Sequence, residues 1–252
     1  MTKSSGGKST YDLREKLILS VDLDDAAAAY SLIDKLGAYV KYYKIGLQLI
    51  TKDGPRMVMT LKRKGLKVFY DAKFYDIPQT VYNAAYEAAR FGVNMMNVHA
   101  SGGPEMIARA KEGLLASSEK MRLDAPKLLA VTVLTSMETK DLKKILGVDI
   151  SAKEMVLRLA IMAKKAGADG IVCSPQEIKI IRKELGKDFL IVTPGIRMDN
   201  SKKHDQKRTM NPREAIAAGA DYIVVGRPIL EAPDKLEMID KILNMIKEGY
   251  EE

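Results

Sequence analysis

Eight short runs of β-forming residues, with helix-forming stretches between them, recur along nearly the whole chain and leave few folds open. The runs read as strands at 17–21, 42–46, 67–73, 94–99, 127–134, 170–174, 189–193 and 222–226. Amphipathic stretches at 25–36, 78–91, 104–117, 152–166, 175–185 and 212–218 lie between them, and a last helix is expected over 233–247. Strands joined by helices of this length pair in parallel, because a crossover returns the chain to the same end of the sheet. The pattern alone allows a doubly wound open sheet. Eight units in about 230 residues fit a closed (β/α)8 TIM barrel better. Ala166-Gly-Ala-Asp-Gly-Ile-Val and Ala218-Gly-Ala-Asp-Tyr-Ile-Val repeat one passage from helix end to strand, as expected of repeated units. No Pro-, Gly- or Ser-rich linker divides the chain. One α/β domain is expected over 15–252, preceded by a polar, mobile arm over 1–14.

Composition narrows the setting. A hydrophobic fraction of 46% in 252 residues is enough for one large core. No apolar run is long enough to span a bilayer, and the first residues lack a signal-peptide core, so no membrane association is expected. The sole cysteine, Cys173, lies in an apolar strand and cannot form an intramolecular disulfide, which suits a reducing cytoplasm. A net charge of +8 suggests an anionic partner. The basic residues are dispersed among acids, aromatics are only 6% and no recognition module is present, so a small anion is favoured over nucleic acid. Gly6-Gly-Lys-Ser9 superficially matches a P-loop, but Thr2 stands where its first glycine belongs and no strand precedes it.

The chemistry centres on residues 67–80. The strand over 67–73 ends in polar residues, and alternation places Asp71 and Lys73 on one face. Asp76 follows just beyond, and Pro78 suits the first turn of the next helix. A lysine set between carboxylates keeps its proton, which makes it a poor Schiff-base nucleophile and a good positioned acid. Such a trio is suited to protonating a carbanion.

In a parallel barrel the C-terminal strand ends meet at one mouth. Here those ends supply Asp22, Lys44, Asp71, Lys73, His99, Thr135, Arg197, Gly226 and Arg227. Gly226-Arg227 follows the eighth strand, where backbone N–H groups and a guanidinium fork can hold phosphate. The loop over 195–210 is long, polar and basic, in the manner of binding loops or lids. It ends at Asn211-Pro-Arg-Glu214, an N-cap, N1 proline and capping acid. A small extra helix is expected over 138–147. His99 and His204 are the only histidines and lack metal-ligand spacing; spacing alone leaves a carboxylate-bound Mg²⁺ open.

Asp71-Ala-Lys-Phe-Tyr-Asp-Ile-Pro resembles the D-x-K-x-x-D-I-P signature of the orotidine 5′-phosphate decarboxylase family. Further matching segments fall in order along the chain: Ser20-Val-Asp22, Tyr43-Lys-Ile-Gly46, Val133-Leu-Thr-Ser136, Thr193-Pro-Gly-Ile-Arg197, Asp205-Gln-Lys-Arg208 and Val225-Gly-Arg-Pro228. Two of these, Thr-Pro-Gly-Ile-Arg and Asp-Gln-Lys-Arg, look most like the bacterial branch. The resemblance implies conversion of orotidine 5′-phosphate to uridine 5′-phosphate and CO₂, in de novo pyrimidine biosynthesis, with no metal or cofactor. Lys73 would protonate C6 of the pyrimidine. Asp71 would stand by the substrate carboxylate and orient Lys73, while Asp76 and Thr80 would reach the neighbouring site of a homodimer. Asp22 and Lys44 would touch the ribose and Thr135 the pyrimidine. Arg197, Gln206, Gly226 and Arg227 would hold the phosphate.

A related group uses a similar Asp-x-Lys-x-x-Asp set with Mg²⁺ on sugar phosphates, and resemblance to it implies a glutamate ligand after strand two in Glu-x-Gly. Lys44-Ile-Gly46 departs from that pattern, since a cation there would repel the metal. Three readings therefore stand to be compared: a metal-independent decarboxylase, a Mg²⁺-dependent sugar-phosphate lyase, and a non-catalytic nucleic-acid binder suggested by charge alone.

Overall fold

A computed structural model describes residues 12–147, 149–198 and 209–251 of the chain. Eight parallel strands close on themselves in sequence order: β1 (Leu17–Ser20), β2 (Tyr42–Gly46), β3 (Lys67–Phe74), β4 (Met95–His99), β5 (Lys127–Val131), β6 (Gly170–Val172), β7 (Leu190–Thr193) and β8 (Tyr222–Val225). Closure rests on β8 pairing with β1, Leu17 opposite Ile223 and Leu19 opposite Val225, which excludes the open sheet.

The two-residue strand period divides the core in two. Ile18, Tyr42, Phe69, Met95, Leu129, Val192 and Val224 point inward and plug the barrel. Their neighbours, such as Leu17, Leu19, Tyr43, Val68, Met96 and Val98, point outward beneath the helices. The ring of helices is built from α1 (Ala26–Leu36), α2 (Leu47–Arg63), α3 (Pro78–Arg90), α4 (Gly103–Met121), α5 (Thr139–Leu146), α6 (Ala152–Lys165), α7 (Ile178–Leu185), α8 (Pro212–Ala217), α9 (Arg227–Leu230) and α10 (Lys235–Glu251). α1 shows the logic: Asp25 caps it by accepting from the Ala28 amide, and Ala29, Ile33 and Leu36 line its buried face. Full burial of a side chain such as Ile33 contributes about 1.5–3 kcal/mol. α3 and α4 approach so closely that a Cβ on Gly113 would lie 2.4 Å from the Tyr82 carbonyl oxygen. That contact sets α3 closely against α4.

Several expectations shift at their edges. The apolar runs at 127–134, 170–174 and 189–193 extend beyond the paired strands. Val133 is buried yet lies outside β5, because a hydrophobic run marks burial and not ladder pairing. α2 is not among the helices named from the sequence, and Pro55 stands inside it. The helix kinks there: Asp53 has φ −156° and ψ 30°. The extra helix, α5, forms behind a Glu138–Asp141 capping box, and Asn211 and Glu214 cap α8 as anticipated. Residues 1–11 of the expected arm lie outside the described residues, while Asp12 caps a 3₁₀ turn, Leu13–Glu15, that leads into β1. No helix among the described residues is long and apolar enough to cross a membrane.

Candidate active site

The site begins with an irregularity in β3. Its register with β4 runs Phe69 to Met95 and Tyr70 to Met96, then resumes at Phe74 to Val98. Asp71, Ala72 and Lys73 are therefore set against Asn97 alone. Lys73 takes φ 51°, a left-handed conformation that costs a non-glycine residue about 1–3 kcal/mol. Asp71 and Lys73 do converge, as expected, but a bulge brings them together in place of simple alternation. Lys73 Nζ lies 2.7 Å from Asp71 Oδ1.

Asp71 is the hub. Lys44 Nζ sits 3.0 Å from its Oδ2 and 3.3 Å from Asp22 Oδ1, so β2 delivers an ammonium between two carboxylates. Ser20 Oγ donates to Asp22 Oδ2 at 2.6 Å, and Asn97 Nδ2 donates to Asp71 Oδ1 at 2.7 Å. A line of alternating charge results: Asp22, Lys44, Asp71, Lys73. A Cβ on Gly46 would stand 3.1 Å from both Asp22 Oδ1 and Lys44 Nζ, so glycine there leaves the pair room. Burial alone would raise the Asp71 pKa, yet the Lys44 and Lys73 ammonium groups together hold it below the ordinary carboxylate value. For Lys44 burial acts downward, and Asp71 and Asp22 outweigh it to raise the pKa. His99, at the end of β4, is held low by burial and by Lys73, and its ring meets Tyr75 edge-on.

The charged line forms one wall of a cavity of about 260 Å³ at the C-terminal mouth of the barrel, also lined by Thr135, Arg197, Gly226 and Arg227. Arg197 is tied in where the long loop's ends meet: its amide donates to Met210 O, and Ile196 bridges Met210. Eight of the expected site residues thus share one cavity: Asp22, Lys44, Asp71, Lys73, Thr135, Arg197, Gly226 and Arg227. Asp76 and Thr80 do not join them. The chain turns outward after Phe74, Asp76 is exposed and accepts from the Ile77 amide at 2.7 Å, and Thr80 is exposed on α3. The expectation that two carboxylates of one chain bracket Lys73 is therefore corrected: within one chain it contacts Asp71 alone of the two. Gln206 lies outside the described residues. Asn97 and Ser20 are not among the expected site residues. The signal for Asn97 is a lone amide amid the buried strand Met95–His99, in phase with inward-facing Met95.

Among the described residues no group of three or more His, Cys, Asp or Glu side chains is arranged to hold a metal ion. The family model described as "Orotidine 5'-phosphate decarboxylase / HUMPS family" matches residues 15–242. The chain belongs to that family. A relative named orotidine 5′-phosphate decarboxylase from Geobacter metallireducens is 48% identical over 236 residues, 94% of this chain and 98% of the relative. One of the same name from Moorella thermoacetica is 44% identical over 221 residues, 88% of each chain. Among solved structures in this family, the orotidine 5′-phosphate decarboxylase of Lactobacillus acidophilus superposes with a TM-score of 0.83 at 39% identity. The match covers 92% of this chain and 99% of that one.

Proposed function

We propose that the chain decarboxylates orotidine 5′-phosphate to uridine 5′-phosphate without a metal or organic cofactor. The observation that carries this reading is the Lys44 ammonium between Asp22 and Asp71. A Mg²⁺-dependent lyase would need a divalent cation among such carboxylates, and a fixed ammonium repels one.

The substrate phosphate binds to Arg197, Gly226 and Arg227, with Gln206 contributed by the long loop, and Thr135 meets the pyrimidine. Asp22 and Lys44 contact the ribose. Binding energy at the phosphate, remote from the reacting bond, serves to close the site and expel water. The substrate carboxylate is then placed toward Asp71, which its two ammonium neighbours keep ionised. As the C6–carboxylate bond breaks, CO₂ leaves and the electron pair stays on C6 beside Lys73. The Lys73 ammonium stabilises that charge in a site from which water is excluded. Its proton passes to C6, leaving a neutral amine that regains a proton from solvent.

Asp76 acts in the site of a second copy, with Thr80 beside it, in a homodimer. Its exposure supports this, as do Tyr75 at 61% and Ile77 at 67% exposure on either side of it. Large apolar side chains flanking a functional carboxylate are better suited to an interface than to water. Assay of the purified protein with orotidine 5′-phosphate in excess EDTA should show the pyrimidine absorbance change of uridine 5′-phosphate formation. No turnover, or turnover of a keto-sugar phosphate that chelation abolishes, would refute the reading.

A further inference from the structure

Asn97 stands in the middle of β4 with no exposed surface, between inward-facing Met95 below and His99 above. It faces the three β3 residues that bulge against it. A bulge takes backbone groups off the ladder, and a buried N–H left without an acceptor is costly. Asn97 Oδ1 accepts the Lys73 N–H at 2.7 Å, while Asn97 Nδ2 donates to Asp71 Oδ1, also at 2.7 Å. That same carboxylate oxygen accepts from Lys73 Nζ. The three hydrogen bonds form a closed ring from the backbone of Lys73, through one amide and one carboxylate, back to the lysine's own ammonium. Turning the amide over would set its N–H₂ against the Lys73 N–H, so the two contacts fix its orientation.

We propose that Asn97 is a positioning residue: it locks Lys73 in its left-handed conformation, holds Asp71 in register with it, and so aims the ammonium at the reacting carbon. The reaction it serves is the one proposed above; the anchoring is a separate claim. A merely structural asparagine would satisfy the bulge and have no bearing on the proton donor.

Asn97→Asp separates the two. It keeps the size and the acceptor for the Lys73 amide but replaces the donor with a second carboxyl beside Asp71. The charged and titratable groups around that position are Asp71 and Lys73 from β3, Lys44 from β2, Asp22 beyond β1 and His99 at the end of β4. Two carboxyls in contact raise one pKa, and the protonated form restores the missing donor. The expected result at about pH 8 is a kcat about a hundredfold below wild type with KM within about threefold. The deficit should narrow as pH falls. Asn97→Ala should lose kcat about as far without that recovery, and its Lys73 amide should exchange with deuterium about tenfold faster than in wild type.

Wild-type-like kcat in Asn97→Asp, or a deficit that does not change with pH, would overturn the inference. Unchanged Lys73 exchange in Asn97→Ala would overturn the anchoring even with full wild-type turnover. An inactive wild type would instead remove the proposed reaction. If Asn97→Ala fails to fold, the isosteric aspartate variant decides alone.

Discussion

At the scale of single residues, Asp71 is a buried carboxylate shared by two ammonium groups and one amide. Removing its charge leaves Lys44 and Lys73 facing each other across a neutral group. Breaking a buried pair from one side is strongly destabilising, so Asp71→Asn should cost about 3 kcal/mol near neutral pH. The sign of the pH effect follows from the lowered folded pKa. The carboxylate's stabilising share is complete above the ordinary value of 3.8 and is lost as pH falls through the folded value. Urea unfolding midpoints of wild type and Asp71→Asn should therefore converge below about pH 4. A gap that stays constant into acid would contradict the role given to the charge.

At the scale of elements, two adjoining connections carry the arginines proposed to hold the phosphate. Arg197 follows β7, where Ile196 and Met210 tie the loop's ends together, and Arg227 opens α9 directly after β8. A charge-assisted hydrogen bond to phosphate is worth about 1.5–3 kcal/mol. Arg227→Ala should thus lower kcat/KM for orotidine 5′-phosphate about 10- to 100-fold and leave the unphosphorylated nucleoside almost unaffected. Equal losses on both substrates would place Arg227 elsewhere. The strand ends were legible in the sequence because a closed parallel barrel gathers them at one mouth, so polar residues ending apolar runs announced themselves. What could not be read is where tertiary packing overrides local pattern. The β3 bulge leaves no mark in Asp71-Ala-Lys73, since strict alternation brings the same side chains together. Asn97 shows in the sequence as a lone amide in an apolar strand, but its partners across the bulge do not. α2 carries Pro55 in its interior, and the helix kinks at Asp53 without ending there.

At the scale of the whole molecule, closure of β8 onto β1 brings the charged line and the arginines that follow β7 and β8 to one cavity. The same fold turns Asp76 outward, so one chain alone leaves Lys73 with a single carboxylate contact among Asp71 and Asp76. In the proposed reaction Lys73 delivers the proton in a site completed by Asp76 of a second copy. Lys73→Ala and Asp76→Ala, each folded, should be inactive alone. Mixed in equal amounts and allowed to exchange subunits, they should recover about a quarter of wild-type activity, because random pairing makes half the dimers mixed and gives each one intact site. Turnover by Lys73→Ala alone, or a mixture of exchanged subunits that stays inactive, would contradict the account.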